Sequence, residues 1–186
     1  MRRKDREMSP EFGGTIIDRA VYATLALVDD RGRPYAIPVS PVRIRDKIYI
    51  HSAQAGEKVE LLQDNTAYQM VFVGEVEVPE LYTKSELEEM LVNPTKAVDL
   101  VRTVFTTEYE SAIAKGKLCR VIDEDERRQA LLAIAQKYCP SKAHLMEKAV
   151  EIGGPRTFIY SFSITELTAK RKKYDTHGNE MKWGRQ

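Results

Sequence analysis

The chain has 186 residues with 42% hydrophobic and 31% charged residues, a globular composition long enough to bury a core without disulfide or metal staples. The formal net charge of +1 is unevenly spread: residues 170–186 contribute +4 and residues 1–10 contribute +2, which leaves the body near −5. A basic tail on an acidic body argues against a broad nucleic-acid face, and no apolar run reaches the ~20 residues that span a bilayer. The N-terminus lacks the apolar stretch of a secretory signal, so a single cytoplasmic domain over residues 1–186 is expected. Cys119 and Cys139 stand alone and read as ordinary reduced thiols.

In chain order, Tyr22 to Val28 is apolar and β-prone, Asp29 to Pro34 supplies turn residues, and Tyr35 to Val39 is β-prone again, which predicts a hairpin. A third strand is expected over Lys47 to His51, after the polar turn Arg45-Asp46. Gly56 then opens a short helical pattern carrying Val59, Leu61 and Leu62. Ala67 to Val73 predicts a fourth strand ending at Gly74. Residues 75–105 form a 31-residue segment where barrel strands would ordinarily be joined by a short loop. Within it, Thr83-Lys84-Ser85-Glu86 has the pattern of a capping box, followed by Leu87, Met90 and Leu91 at helical spacing, and a lid or interface helix is expected.

Thr106 to Val121 reads as a long strand interrupted by Gly116. Asp123 to Glu126 begins a helix with Ala130, Leu131, Ile134, Ala135 and Tyr138 on its apolar face, stopped at Cys139-Pro140, and Ser141 to Ile152 gives a second short helix. Thr157 to Leu167 alternates Phe158, Tyr160, Phe162 and Ile164 at period two. Six strands with helices outside the hairpins predict a mainly β fold, a small barrel with peripheral helices. Tyr22, Tyr35, Tyr49, Phe72, Phe158, Tyr160 and Phe162 are expected to fill the barrel and a dimer interface.

Nucleophile elbow, His-Glu-x-x-His, Cys-x-x-Cys, Walker loop and Gly-x-Gly-x-x-Gly motifs are all missing, and His51, His144 and His177 are too scattered to propose a metal site. Chemistry would then belong to a cofactor. The strongest local feature is His51 to Lys58, a strand end running into a helix N-terminus. Free backbone N–H groups, a glycine at 56, the Ser52 hydroxyl and the Lys58 cation suit a phosphate there, although the same stretch also reads as an ordinary strand-to-helix turn. His51 reads either as a packed residue or as a group that donates a hydrogen bond or proton to substrate. Glu110 reads as one face of an alternating strand in preference to a buried carboxylate.

Arg33 to Pro41, Ile48 to Ala53 and Gly56-x-Lys58 resemble the successive strand and phosphate-loop motifs of the FMN-binding split-barrel proteins related to pyridoxamine 5'-phosphate oxidase. Thr106 to Ile113 and the tail Lys170 to Tyr174 with Trp183-Gly184-Arg185 are similar to the branch known for 5-nitroimidazole resistance, the Nim-like proteins. The resemblance implies a six-stranded FMN-binding split β-barrel, homodimeric, with flavin at the subunit interface. It implies FMN phosphate near Ser52 and Lys58 and the ring along Val39, Ser40, Pro41 and Val42, with His51, Ala53 and Ser111 completing the cofactor-binding set. His51 is the candidate catalytic residue. The implied activity is NAD(P)H-dependent reduction of a nitro-aromatic or related small acceptor; a non-catalytic flavin-binding or storage module and a haem-binding barrel are the alternatives. One departure matters: residues 75–105 exceed the corresponding connection of typical members. The basic tail over 170–186 reads either as a mobile terminus or as a strap docked on a partner subunit through Trp183.

Overall fold

A computed structural model describes residues 2–183. Strands β1 (Glu7–Met8), β2 (Ala23–Val28), β3 (Pro34–Val39), β4 (Val42–Ile44), β5 (Lys47–Ala53), β6 (Thr66–Glu77), β7 (Glu108–Arg120) and β8 (Thr157–Lys172) alternate with six α-helices. The helices are α1 (Pro10–Arg19), α2 (Glu57–Leu61), α3 (Lys84–Val92), α4 (Ala97–Asp99), α5 (Glu124–Tyr138) and α6 (Met146–Gly153). All sheet pairings are antiparallel, in the order β3-β2-β6-β7-β8-β5-β4, with β1 added to β8. The two strands at the ends of this order, β3 and β4, are consecutive in the chain and joined only by Ser40 and Pro41. Six inter-strand steps of ~4.8 Å would separate them by about 29 Å in a flat sheet. Val39 to Val42 can span about 11 Å at most. The sheet therefore closes on itself, and residues 40–41 lie at the seam.

The closed sheet divides its side chains between two cores. Leu25, Ile48, Ile50, Met70, Phe72, Leu118 and Phe162 fill the interior, joined by Ile16 and Ile17 of α1. Outside, Val42, Tyr49, Val121 and Ile159 meet Ala130 and Ile134 of α5. β7 shows the underlying alternation, with Ala112, Ala114, Gly116 and Leu118 inward and Ile113, Lys115 and Lys117 outward. Gly116 sits at a register shift against β8, where an added Cβ would come within 2.7 Å of the Phe162 ring and closer still to the Ser163 carbonyl.

All six strands expected from the sequence are present; the sheet has eight because β1 and β4, of two and three residues, are too short to show periodicity. β6 continues past Gly74 through a bulge after Val73, and β8 continues to Lys172, so part of the basic tail is barrel wall. The Thr83 capping box forms as expected, with Thr83 and Glu86 bonding reciprocally. The helix expected over Ser141 to Ile152 begins instead as a tight turn, Pro140–Leu145, and becomes α-helical only at Met146. α1 escaped the sequence reading, although Ser9 caps it through the Phe12 N–H and Pro10 occupies its first position. Tyr22 is 57% exposed, so it is not among the aromatics that fill the barrel.

Residues 173–183 fold back over the N-terminal segment of the same chain. Arg6 and Lys182 converge on Glu180 at 2.5 and 2.9 Å, Lys182 also meets Asp5 at 2.9 Å, and the Trp183 N–H donates to the Asp5 carbonyl. The insertion joins this arrangement where the Tyr174 hydroxyl donates to the Arg102 carbonyl at 2.9 Å. Gly184 and Arg185, quoted for the resemblance, lie outside the described residues.

Candidate functional site

β5 delivers His51 and Ala53 to the outer face of the sheet and Ser52 to the inner one, where Ser52 is 4% exposed opposite Phe158. The chain then turns through Gly56, whose φ of 113° is one that L side chains rarely adopt and whose missing Cβ faces open space. α2 follows at once, and its second residue sends Lys58 Nζ back to 3.4 Å from the His51 carbonyl. Burial lowers the Lys58 pKa, with no carboxylate bearing on it. Burial and, second, the Lys58 charge hold the His51 imidazole below its ordinary value, although one side of the residue is open to solvent. Lys58 is therefore a half-buried cation without an acidic partner among the described residues, placed beside a backbone free to approach a ligand.

The second group of expected residues lies at the seam. Val39 and Val42 are buried, on the inner core and the outer core respectively, so the strand passes from one to the other across Ser40-Pro41. The Pro41 carbonyl accepts from Lys137 Nζ at 2.8 Å and from the Tyr138 hydroxyl at 3.0 Å. Neither of these two residues, on the last turn of α5, was read from the sequence as a site residue, Tyr138 being placed only on the helix's apolar face; the signal was a Lys-Tyr pair directly before Cys139-Pro140. Burial lowers the Lys137 pKa, opposed by Asp18.

Ser111 is not brought to the Ser52–Lys58 loop within one chain. Its neighbours on β6 and β8 are Val73 and Lys170, whereas Ser52 pairs with Phe158, twelve residues away along β8. At ~3.3 Å per residue that is about 40 Å of strand. An outer-face hollow of about 450 Å³ lies near Val73, bounded by Arg19 to Tyr22 and Val73 to Glu75.

Glu110 is 5% exposed, a buried carboxylate, which corrects its reading as a strand-face residue. It is held by Arg19 Nη2 at 2.7 Å and lies 3.1 Å from Arg171 Nε, and Gly74 makes room for it, since a Cβ there would sit 2.9 Å from the Glu110 Cβ. The Arg171 guanidinium in turn lies over the Trp183 ring at 4.8 Å. The cluster ties α1, β7, β8 and the tail together and holds no free acid for catalysis. Among the described residues no group of His, Cys, Asp and Glu could hold a metal ion, and no helix is long and apolar enough to cross a membrane.

Solved structures share this architecture. A candidate 5-nitroimidazole antibiotic resistance protein of Bacteroides thetaiotaomicron superimposes with a TM-score of 0.64 at 21% identity, covering 89% of this chain and 86% of its own. The FAD and heme binding protein of Mycobacterium smegmatis gives 0.68 at 19% identity, covering 90% and 73%. The heme storage protein HutZ of Vibrio cholerae gives 0.55 at 12% identity, covering 87% and 94%. At these identities the likeness speaks for the fold. None of the curated protein sequences matches the chain. The family model described as pyridoxamine 5'-phosphate oxidase matches residues 14–171, from α1 through the last barrel strand, and the chain belongs to that family.

Proposed function

We propose that this protein is a cytoplasmic FMN-binding oxidoreductase that takes reducing equivalents from NAD(P)H and passes them to a nitro-aromatic or related small acceptor, working as a homodimer with flavin at the subunit interface. The observation that carries the flavin reading is Lys58: a half-buried ammonium without a carboxylate partner, beside the open backbone of Gly56, suits a ligand phosphate. Ser52 lines the strand end from within, and His51, neutral near pH 7, can donate or accept a hydrogen bond on the outer side. Ala53 and Ser40, which is the part of the otherwise buried Val39 to Val42 seam that reaches solvent, complete the side offered to a ring.

Flavin, when bound, supplies the electron-transfer chemistry, and the protein supplies binding, orientation and exclusion of water. The dimer is supported by the placement of Ser111, which can join the Ser52–Lys58 loop only from a second chain, and by exposed apolar residues on the outer sheet face, Tyr22 and Val73 among them. Binding of FAD or heme by structural neighbours makes those ligands the natural competitors. Purified protein is expected to take up FMN with the absorption of oxidised flavin and to bleach when a nicotinamide donor is added anaerobically. Uptake without bleaching would leave a flavin-binding module, a Soret band would indicate heme, and failure to take up any flavin would remove the proposal.

A further inference from the structure

The last turn of α5 reaches the seam of the barrel. Pro41 is fully buried in the two-residue joint between β3 and β4, where the strand leaves one edge of the sheet and joins the other. Its carbonyl accepts from Lys137 Nζ at 2.8 Å and from the Tyr138 hydroxyl at 3.0 Å, and Lys137 Nζ also lies 3.4 Å from the Ile17 carbonyl. Ending the helix does not require this, because the Cys139 N–H already closes it on the Ala135 carbonyl. Nor does an ion pair explain it: the one carboxylate that bears on Lys137 is Asp18, which is itself paired with Arg43 at 2.5 Å. Half-burying an ammonium has a free-energy cost that two carbonyl partners only partly offset. A cation is thus maintained, at some cost, beside the segment on which the ring is proposed to lie.

We propose that Lys137 and Tyr138 are positioning residues for the flavin ring: they fix the direction of the Ser40 to Val42 seam, and the Lys137 ammonium favours the more negative, reduced form of the ligand. This rests on the flavin reading given above. It assigns the two lysines separate tasks, Lys58 acting on the phosphate and Lys137 on the ring, so the two losses have different signatures.

The test titrates FMN and riboflavin into apo-protein by fluorescence quenching, with thermal unfolding of each apo form and the reduction potential of the bound flavin as further readouts. Lys137→Met is expected to weaken both flavins alike, by about tenfold as the seam loosens, and to shift the potential to more negative values. Lys137→Arg, which keeps a cation and donors, is expected to restore both. If Lys137→Met binds both flavins as the wild type does, with an unshifted potential, the inference is overturned while the flavin reading stands. A wild type that binds neither flavin removes that reading and this inference with it. Should Lys137→Met fail to fold, Tyr138→Phe carries the comparison: equal weakening of both flavins at an unchanged apo melting temperature supports the positioning role, and unchanged affinity refutes it.

Discussion

Lys58 and His51 lie seven residues apart in sequence and are brought together because α2 starts immediately after the β5 turn, which aims the lysine back along the strand it has just left. The proximity of the two groups has a measurable consequence. His51 titrates below its ordinary value of 6.5, first through burial and then through the Lys58 charge. A histidine depressed in the folded state stabilises the fold fully above its unfolded pKa, near 6.5, and loses that contribution as the pH falls through the folded pKa. In Lys58→Ala the repulsion is gone while the burial remains, so an NMR titration of the His51 ring protons should show a midpoint closer to 6.5 but still under it. An unchanged midpoint would mean that Lys58 does not sit against His51. What the sequence revealed here was the loop chemistry of Gly56 and Lys58. It concealed Lys137, because its contact with Pro41 joins residues 96 positions apart and leaves no local pattern.

At the level of elements, the six long strands were legible as apolar, β-prone runs set between turn and breaker residues, and Thr157 to Leu167 also by the alternation of Phe158, Tyr160 and Phe162. β1 and β4 offer only two and three residues to a period of two, and they exist because β8 and β5 present free edges to pair with. Glu110 was misread for a related reason: its strand position is visible in the sequence, but Arg19 and Arg171, which make burial of a carboxylate tolerable, come from α1 and β8. Gly116, read as an interruption of a strand, proves to be what lets β7 and β8 stay paired at their register shift. Gly116→Ala would push a methyl group into Phe162 and the Ser163 backbone, with little freedom for either to move. A loss of about 3 kcal/mol in unfolding free energy is expected. Guanidinium denaturation checks it, and a wild-type midpoint would show that the β7–β8 contact is looser than described.

For the molecule as a whole, closure of the sheet decides where a ligand can lie. The same closure that places Ser40 and Pro41 at the seam puts the His51 to Lys58 loop at one end of β8 and Ser111 toward the other, and the proposal that one site uses all of these residues therefore calls for a second copy. Composition and charge said nothing of this, since subunit contacts leave no period in the sequence. The tail, by contrast, was legible as basic, but its docking was read only toward a partner subunit: the hydrogen bond from Arg6, with Lys182 adding to it and burial opposing, holds Glu180 down to about 2, and Arg6 lies at the opposite end of the same chain. The central claim, that this fold binds a flavin through its phosphate at Lys58, is most directly tested by titrating FMN and riboflavin into apo wild type and apo Lys58→Ala. Loss of a charge-assisted contact of about 1.5–3 kcal/mol predicts an FMN affinity lower by about tenfold to a hundredfold, with riboflavin nearly unchanged because it carries no phosphate. Equal losses for the two ligands, or no loss for either, would contradict the account.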